Sequence, residues 1–253
     1  VSPGDFALVA VAGLLCGAVN AVAGGGSLIL FPALIASGLP TLAANVTNSV
    51  ATWPGYVGGV VGFREELKGQ SRRLFPLAMV SLAGSISGCA LLLTTSTAAF
   101  DLVVPALVLF ATLLLAAQPR LKRWMADRAP TPNRPHRGLY PALFLATVYG
   151  GYFGGALGVI IIGALALTLA DSLPRLNALK AALTLVDCSV SVVIFGLFGP
   201  VDWLAVAVAA PTCLLGGYLG ARLARRLNEA RLRAAVITLG LSVTIYLAWK
   251  VFF

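Results

Sequence analysis

The sequence predicts an all-α membrane protein of about ten helical segments in two inverted five-segment repeats, with short broken or re-entrant helices at 26–38 and 158–171. Three observations carry this: a composition too apolar for a water-soluble domain, apolar runs of helix length between charged or turn-forming stretches, and a second half that repeats the special residues of the first.

Of the 253 residues, 59% are hydrophobic and 11% charged, with a mean hydropathy of +0.93. Soluble domains carry about 25% charged residues, so the chain is expected to be a polytopic membrane protein. A net charge of +9 points to nucleic acid only where a soluble domain offers a basic face. In a membrane protein it belongs to cytoplasmic loops, and no nucleic-acid partner is expected. Cys16, Cys89, Cys188 and Cys213 all lie in apolar segments without CxxC spacing. Neither a disulfide framework nor a zinc site is indicated, and small buried hydrophobes are expected. The first apolar segment runs into a glycine break rather than to a cleavage site, so it is expected to belong to the mature fold.

The segments are 5–22, 26–38, 42–63, 74–94, 99–118, 139–156, 158–171, 176–198, 201–224 and 231–253. A full span needs about 20 residues. The second and seventh are too short to cross untilted, and both follow glycine breaks, which makes them the candidates for broken or re-entrant helices.

Lys and Arg concentrate on the cytoplasmic side of short loops. Here they gather in the loops 64–73, 119–138 and 222–233, while the opposite loops hold Asp5, Asp101 and Asp202. With those three basic loops cytoplasmic, both termini are external. The longest polar interruption, 119–138, then links a first transmembrane repeat, 1–118, to a second, 139–253.

Sliding 12–62 over 146–196 matches Gly17 to Gly151, Gly24 to Gly158, Leu39-Pro40 to Leu173-Pro174 and Gly62 to Gly196; a two-residue shift matches Gly84 and Gly88 to Gly216 and Gly220. An odd number of spans per half makes the repeats inverted, an arrangement common in secondary transporters. For Gly84/Gly88 and Gly216/Gly220 the preferred reading is close helix packing of the GxxxG kind.

An Asp or Lys at membrane depth costs about 2.5–3.5 kcal/mol on insertion scales, so such residues are few and mostly functional. Two occur, Lys180 and Asp187, on a helical stripe with Asn177, Thr184 and Ser191. An internal Lys180–Asp187 ion pair is the structural alternative to a role in binding. The third segment carries a neutral stripe, Asn45, Asn48 or Ser49, Thr52 and Tyr56, whose alternative reading is interhelical hydrogen bonding. The break Asn20 to Ser27, with Gly24, Gly25 and Gly26 at its centre, can present the N–H groups of a helix start to an anion; the alternative is a tight turn that uses glycine for positive φ. No Gly-Lys-Ser/Thr follows the glycines, so this is not a nucleotide loop. The single histidine, His136, lies in the basic linker. No catalytic or metal-ligand cluster falls at membrane depth, so neither an enzyme nor a metal or cofactor is expected.

The Gly-rich break, apolar run and Leu-Pro occur twice, Ala23-Gly24-Gly25-Gly26-Ser27 to Leu39-Pro40 and Gly150-Gly151-Tyr152-Phe153-Gly154-Gly155 to Leu173-Pro174. With Ala44-Asn45-Val46-Thr47-Asn48-Ser49 and Gly199-Pro200-Val201-Asp202-Trp203, the chain resembles the sulfite exporter TauE/SafE transporters over nearly its whole length. The resemblance implies movement of sulfite, or an organosulfonate such as sulfoacetate, across the bacterial inner membrane, coupled to an ion gradient. The site is expected where the first break meets the charged stripe. The candidate binding residues are Asn20, Gly24, Gly25, Gly26, Ser27, Asn45, Asn48, Thr52, Tyr152, Asn177, Lys180 and Thr184, with Asp187 orienting the substrate or carrying a proton. The expected partners are a small anion and the lipid bilayer, with a homodimer as the assembly considered. The rival readings are an uncoupled anion channel and a membrane scaffold or assembly protein.

Overall fold

Apolar helix-forming runs broken by Gly, Pro and charge leave the backbone one economical choice in lipid, which is to satisfy its hydrogen bonds inside each segment. The computed structural model describes residues 3–22, 25–126, 138–169, 171–223 and 229–252, and among them every regular element is a helix. The first half runs α1 (Pro3–Val22), α2 (Ser27–Ala36), α3 (Thr41–Gly62), the single turn α4 (Arg64–Leu67), α5 (Ser71–Thr94) and α6 (Thr97–Ala126). The second runs α7 (Leu139–Tyr152), α8 (Leu157–Thr168), α9 (Leu173–Phe198), α10 (Trp203–Leu223) and α11 (Glu229–Phe252).

Five of these helices, α5, α6, α9, α10 and α11, are long and apolar enough to cross a membrane. The expected short helices are present. α2 has 10 residues and α8 has 12, about 15 and 18 Å against a hydrocarbon core of about 30 Å. α2 stops because Gly38 takes φ +96° and the Leu39 N–H turns back to the Leu34 carbonyl at 3.1 Å, a Schellman ending.

Two boundaries differ from expectation. The turn α4 sits inside the basic loop, and α6 continues to Ala126, into the stretch expected to be linker from 119. Basic density suggested a loop there. Instead Leu121 packs on α8 at Gly163 while Arg120 and Arg123 are exposed, an amphipathic end rather than a break. Residues 127–137 of that stretch, with His136, lie outside the described residues, as do residues 224–228 of the expected basic loop 222–233.

Helices pair across the two halves. α1 packs on α10 as α5 packs on α7, α3 on α10 as α9 on α5, and α2 on α11 as α8 on α6, while α3–α9 and α6–α11 are their own counterparts. The matched glycines make those approaches possible. A Cβ at Gly84 would stand 2.7 Å from the Phe144 carbonyl oxygen, and one at Gly220 would stand 2.7 Å from Ala18 Cα. Their role is packing, as expected. The central core, with Phe31, Phe100, Phe153 and Phe195 fully or nearly buried, surrounds the junction of α2, α3, α7 and α9.

Candidate functional site

α3 and α9 carry the polar stripes and lie against each other, joined by a hydrogen bond from Trp53 Nε1 to Ser189 Oγ at 3.0 Å. Stripes of this kind must turn from lipid to protein or water. Between them lies a cavity of about 20 Å³, room for about one water molecule. α3 contributes Asn48, Ser49, Thr52 and Tyr56, and α9 contributes Thr184, Asp187, Cys188 and Ser191. Both glycine breaks reach it. Ser27 arrives from the start of α2, and Phe153, Gly154 and Leu157 from the α7–α8 turn.

Asp187 is 2% exposed, and Ser85 Oγ of α5 lies 2.5 Å from its Oδ1. Gly150 makes room for it, since a Cβ there would stand 2.6 and 2.8 Å from the two carboxylate oxygens. The Ser85 hydroxyl is also 2.7 Å from the Ser81 carbonyl. Asn48 and Thr184 are 3% and 4% exposed, and Asn48 Oδ1 and Thr184 Oγ1 are buried without a protein hydrogen-bond partner. An unpaired buried polar group costs about 1–3 kcal/mol, a cost that a water or ligand in the cavity would relieve. Asp187 is the charged residue of the lining; among the described residues no Lys, Arg or His borders the cavity.

The expected site residues divide into two groups. Ser27, Asn48, Thr52, Thr184 and Asp187 come together on the cavity. The rest of the first break serves its own turn. Gly25 takes φ +85°, Asn20 Oδ1 accepts the Gly26 N–H at 2.7 Å, and the Leu28 and Ile29 N–H groups bond the Gly25 and Gly26 carbonyls at 3.0 and 2.8 Å. The N–H groups of Gly26, Leu28 and Ile29, which the sequence suggested for an anion, are therefore already bonded within the break. Gly24 lies outside the described residues.

Asn45 and Tyr152 sit behind the cavity. Asn45 Nδ2 donates to the Tyr152 carbonyl at 3.0 Å and fastens α3 to the end of α7, while the Tyr152 ring packs on Phe100. Asn177 and Lys180 are half-buried, each has an interaction of its own, and neither borders the cavity. The stem of Lys180 packs beside Gly158, where a Cβ would be 3.6 Å from Lys180 Cδ, so its place is next to the second break rather than the first.

Sequence reading passed over Ser85, Gly150 and Cys188 as site residues. Ser85 had a visible signal, a serine between the packing glycines Gly84 and Gly88, but its partner stands 102 residues away. Gly150 was visible as part of the second break. Nothing in its position foretold that it clears space for a carboxylate.

A family model described as "Sulfite exporter TauE/SafE" matches residues 9–247. The chain belongs to this family. It is 26% identical over 239 residues to a "Probable membrane transporter protein" of Haemophilus influenzae, covering 94% of this chain and 92% of that protein. It is 29% identical over 231 residues to the "Probable membrane transporter protein YfcA" of Escherichia coli K12, covering 90% and 82%. It is also 22% identical over 242 residues to the "Probable membrane transporter protein ORF9" of a Sinorhizobium species, covering 96% and 92%. No solved structure matches. This TauE/SafE chain is thus a multi-pass membrane protein of a transporter family.

Proposed function

We propose that this chain is a secondary transporter that moves a small sulfur-containing anion, sulfite or an organosulfonate such as sulfoacetate, across the bacterial inner membrane by alternating access. The observation that carries this reading is the small cavity at the meeting of both glycine breaks, lined by side-chain hydroxyls and the Asp187 carboxylate, with unpartnered oxygens on Asn48 and Thr184. A scaffold gains nothing from such atoms, because each lowers its stability. The cavity as it stands holds about one water, so a sulfur oxyanion enters only when α2 and the α7–α8 turn separate from α3 and α9. Movement of one repeat-derived bundle against the other supplies that opening.

Charge sets the coupling. An anion beside an ionised Asp187 is repelled strongly at low dielectric, so Asp187 takes up a proton in the same cycle. The contacts of Ser85 favour this. One hydroxyl hydrogen lies between two acceptors, Ser81 O at 2.7 Å and Asp187 Oδ1 at 2.5 Å. A carboxylic acid at Asp187 donates to Ser85 Oγ, which then donates onward to Ser81, and both contacts are made. The hydroxyls of Ser27, Tyr56 and Thr184 are the donors left for the anion's oxygens.

With basic loops inside and both termini outside, the two ends of α3 and α9 close differently. On the cytoplasmic side Arg73 and Arg175 hold Asp171 at 3.0 and 3.2 Å. On the outer side Thr41 bonds Asp101, and Thr47 Oγ1 accepts the Asp202 N–H at 3.0 Å. Opening inward breaks ion pairs; opening outward breaks neutral or singly charged contacts.

The test is uptake into proteoliposomes under an imposed proton gradient. Concentrative, pH-dependent sulfite or sulfonate uptake is expected, and Asp187→Asn is expected to abolish its pH dependence. Uptake by Asp187→Asn that stays equally fast and equally pH-dependent would remove the proton role. Flux that never exceeds the substrate gradient would favour the channel. A melting curve unmoved by any small anion, with no flux, would favour the scaffold.

A further inference from the structure

Toward the cavity, the wall is richer in acceptors than an anion alone would select. The hydroxyl hydrogens of Ser49 and Thr52 turn back onto their own helix, to Asn45 O at 3.0 Å and Asn48 O at 2.9 Å, so these oxygens offer lone pairs to the interior. Asn48 Oδ1 is an acceptor with no protein partner. Asp187 adds its carboxylate, and Thr184 Oγ1, also unpartnered, lies one turn away on the same face of α9.

Hard cations select oxygen ligands of this kind. One carboxylate matches a single positive charge, whereas protein sites for divalent ions gather more carboxylates or phosphates. The size fits too, since a cavity of about 20 Å³ admits one water-sized sphere. We propose that this cavity binds a sodium ion through the Asp187 carboxylate, Asn48 Oδ1 and the hydroxyl oxygens of Thr184, Ser49 and Thr52, in competition with a proton on Asp187. The proposal deepens the transport reading, on which it rests for its purpose, by naming a second coupling ion for the same carboxylate.

The competition is local to Asp187. The titratable groups beside it are Tyr56 of α3, Cys89 of α5 and Cys188 of its own helix. α8 brings none, and Tyr149 of α7 has its hydroxyl bonded to the Gly155 carbonyl. Lys180 stands two turns along α9 with its stem on Gly158.

The test needs neither anion nor flux. The purified protein is melted in sodium, potassium or choline chloride at equal ionic strength, at alkaline and at acid pH, and equilibrium binding of radioactive sodium is measured in parallel. A saturable rise in Tm with sodium alone is expected at alkaline pH, fading on acidification, with matching radioactive binding. Asp187→Asn is expected to lose both signals. Thr184→Val, which keeps the side-chain shape, is expected to weaken sodium binding about tenfold while folding normally. Equal melting in the three salts together with no saturable sodium binding by the wild-type protein overturns the proposal, as does full sodium binding by Asp187→Asn. Sulfite-dependent shifts in choline chloride report on the anion reading separately, so either idea can fall without the other.

Discussion

In the first glycine break Asn20 Oδ1 accepts the Gly26 N–H at 2.7 Å; in the second the Tyr149 hydroxyl donates to the Gly155 carbonyl, also at 2.7 Å. Each clasp reaches six residues ahead from the preceding helix. A helix interrupted at membrane depth leaves backbone groups that no water can satisfy. Each repeat supplies a side chain whose polarity matches the orphaned group, an acceptor for the N–H and a donor for the carbonyl. The breaks therefore shape the cavity, to which the first adds the Ser27 side chain, while most of the polar groups of its wall come from α3 and α9.

The breaks also differ in strain. Among the described residues, the first has its positive φ at a glycine, Gly25; the second adds to Gly154 a non-glycine residue, Ala156, at φ +57°. A left-handed alanine costs about 1–2 kcal/mol. The second break is thus held in place at greater cost, beside the turn that carries Phe153 and Leu157 into the cavity.

Substitutions can break or sharpen this contrast. The largest effect is expected at Gly26, where a Cβ would meet the Asn20 Cγ and Cys16 carbonyl carbon at 2.9 Å and come closer still to the Cys16 oxygen. Gly26→Ala should cost about 1–3 kcal/mol or more as overpacking and lower the yield of folded protein in size-exclusion chromatography. Gly158→Ala, the control in the second repeat, should fold normally, because its nearest neighbour is the flexible Lys180 stem at 3.6 Å. If both variants folded equally well, the first break would be looser than described.

Next come the clasps. Asn20→Ala leaves the Gly26 N–H without its acceptor and should cost about 1–3 kcal/mol, with Asn20→Asp restoring most of the lost Tm. Tyr149→Phe should cost about 1 kcal/mol, and equal losses at both positions would erase the difference in polarity. Smallest is Ala156→Gly. Relief of the left-handed strain, offset by glycine's entropy, should raise Tm by about 1–4 °C; a fall would show that the alanine side chain earns its place by packing.

Much of the fold was legible because lipid narrows the options. Apolar run length located the long helices, and shortness after a glycine break located α2 and α8. Pairwise glycines announced close helix packing at Gly84/Gly88 and Gly216/Gly220, though not that the partners are α7 and α1. The site was legible along each helix and not between helices. Helical spacing placed Asn48 and Thr52 on one stripe and Thr184 and Asp187 on another, yet Lys180, on the same stripe as Asp187, packs at the second break. The seven residues between them span about 10 Å of helix, enough to separate one neighbourhood from another. The backbone of the first break looked available because sequence cannot show that Asn20, six residues earlier, already serves it. The continuation of α6 past Pro119 was hidden for a related reason, since the anchoring contact of Leu121 is with Gly163.

The packing of α1 on α10 also has a consequence for biosynthesis. Gly17 of α1 fits against the backbone at Cys213 and Gly217, which the ribosome reaches only after making nearly the whole intervening chain. At about 5–20 residues per second, α1 waits on the order of 10–40 s in the bilayer with its glycine groove open to lipid. Any quality-control step that senses an unfilled helix groove has that interval in which to act. A nascent chain truncated before α10 should be the species it removes.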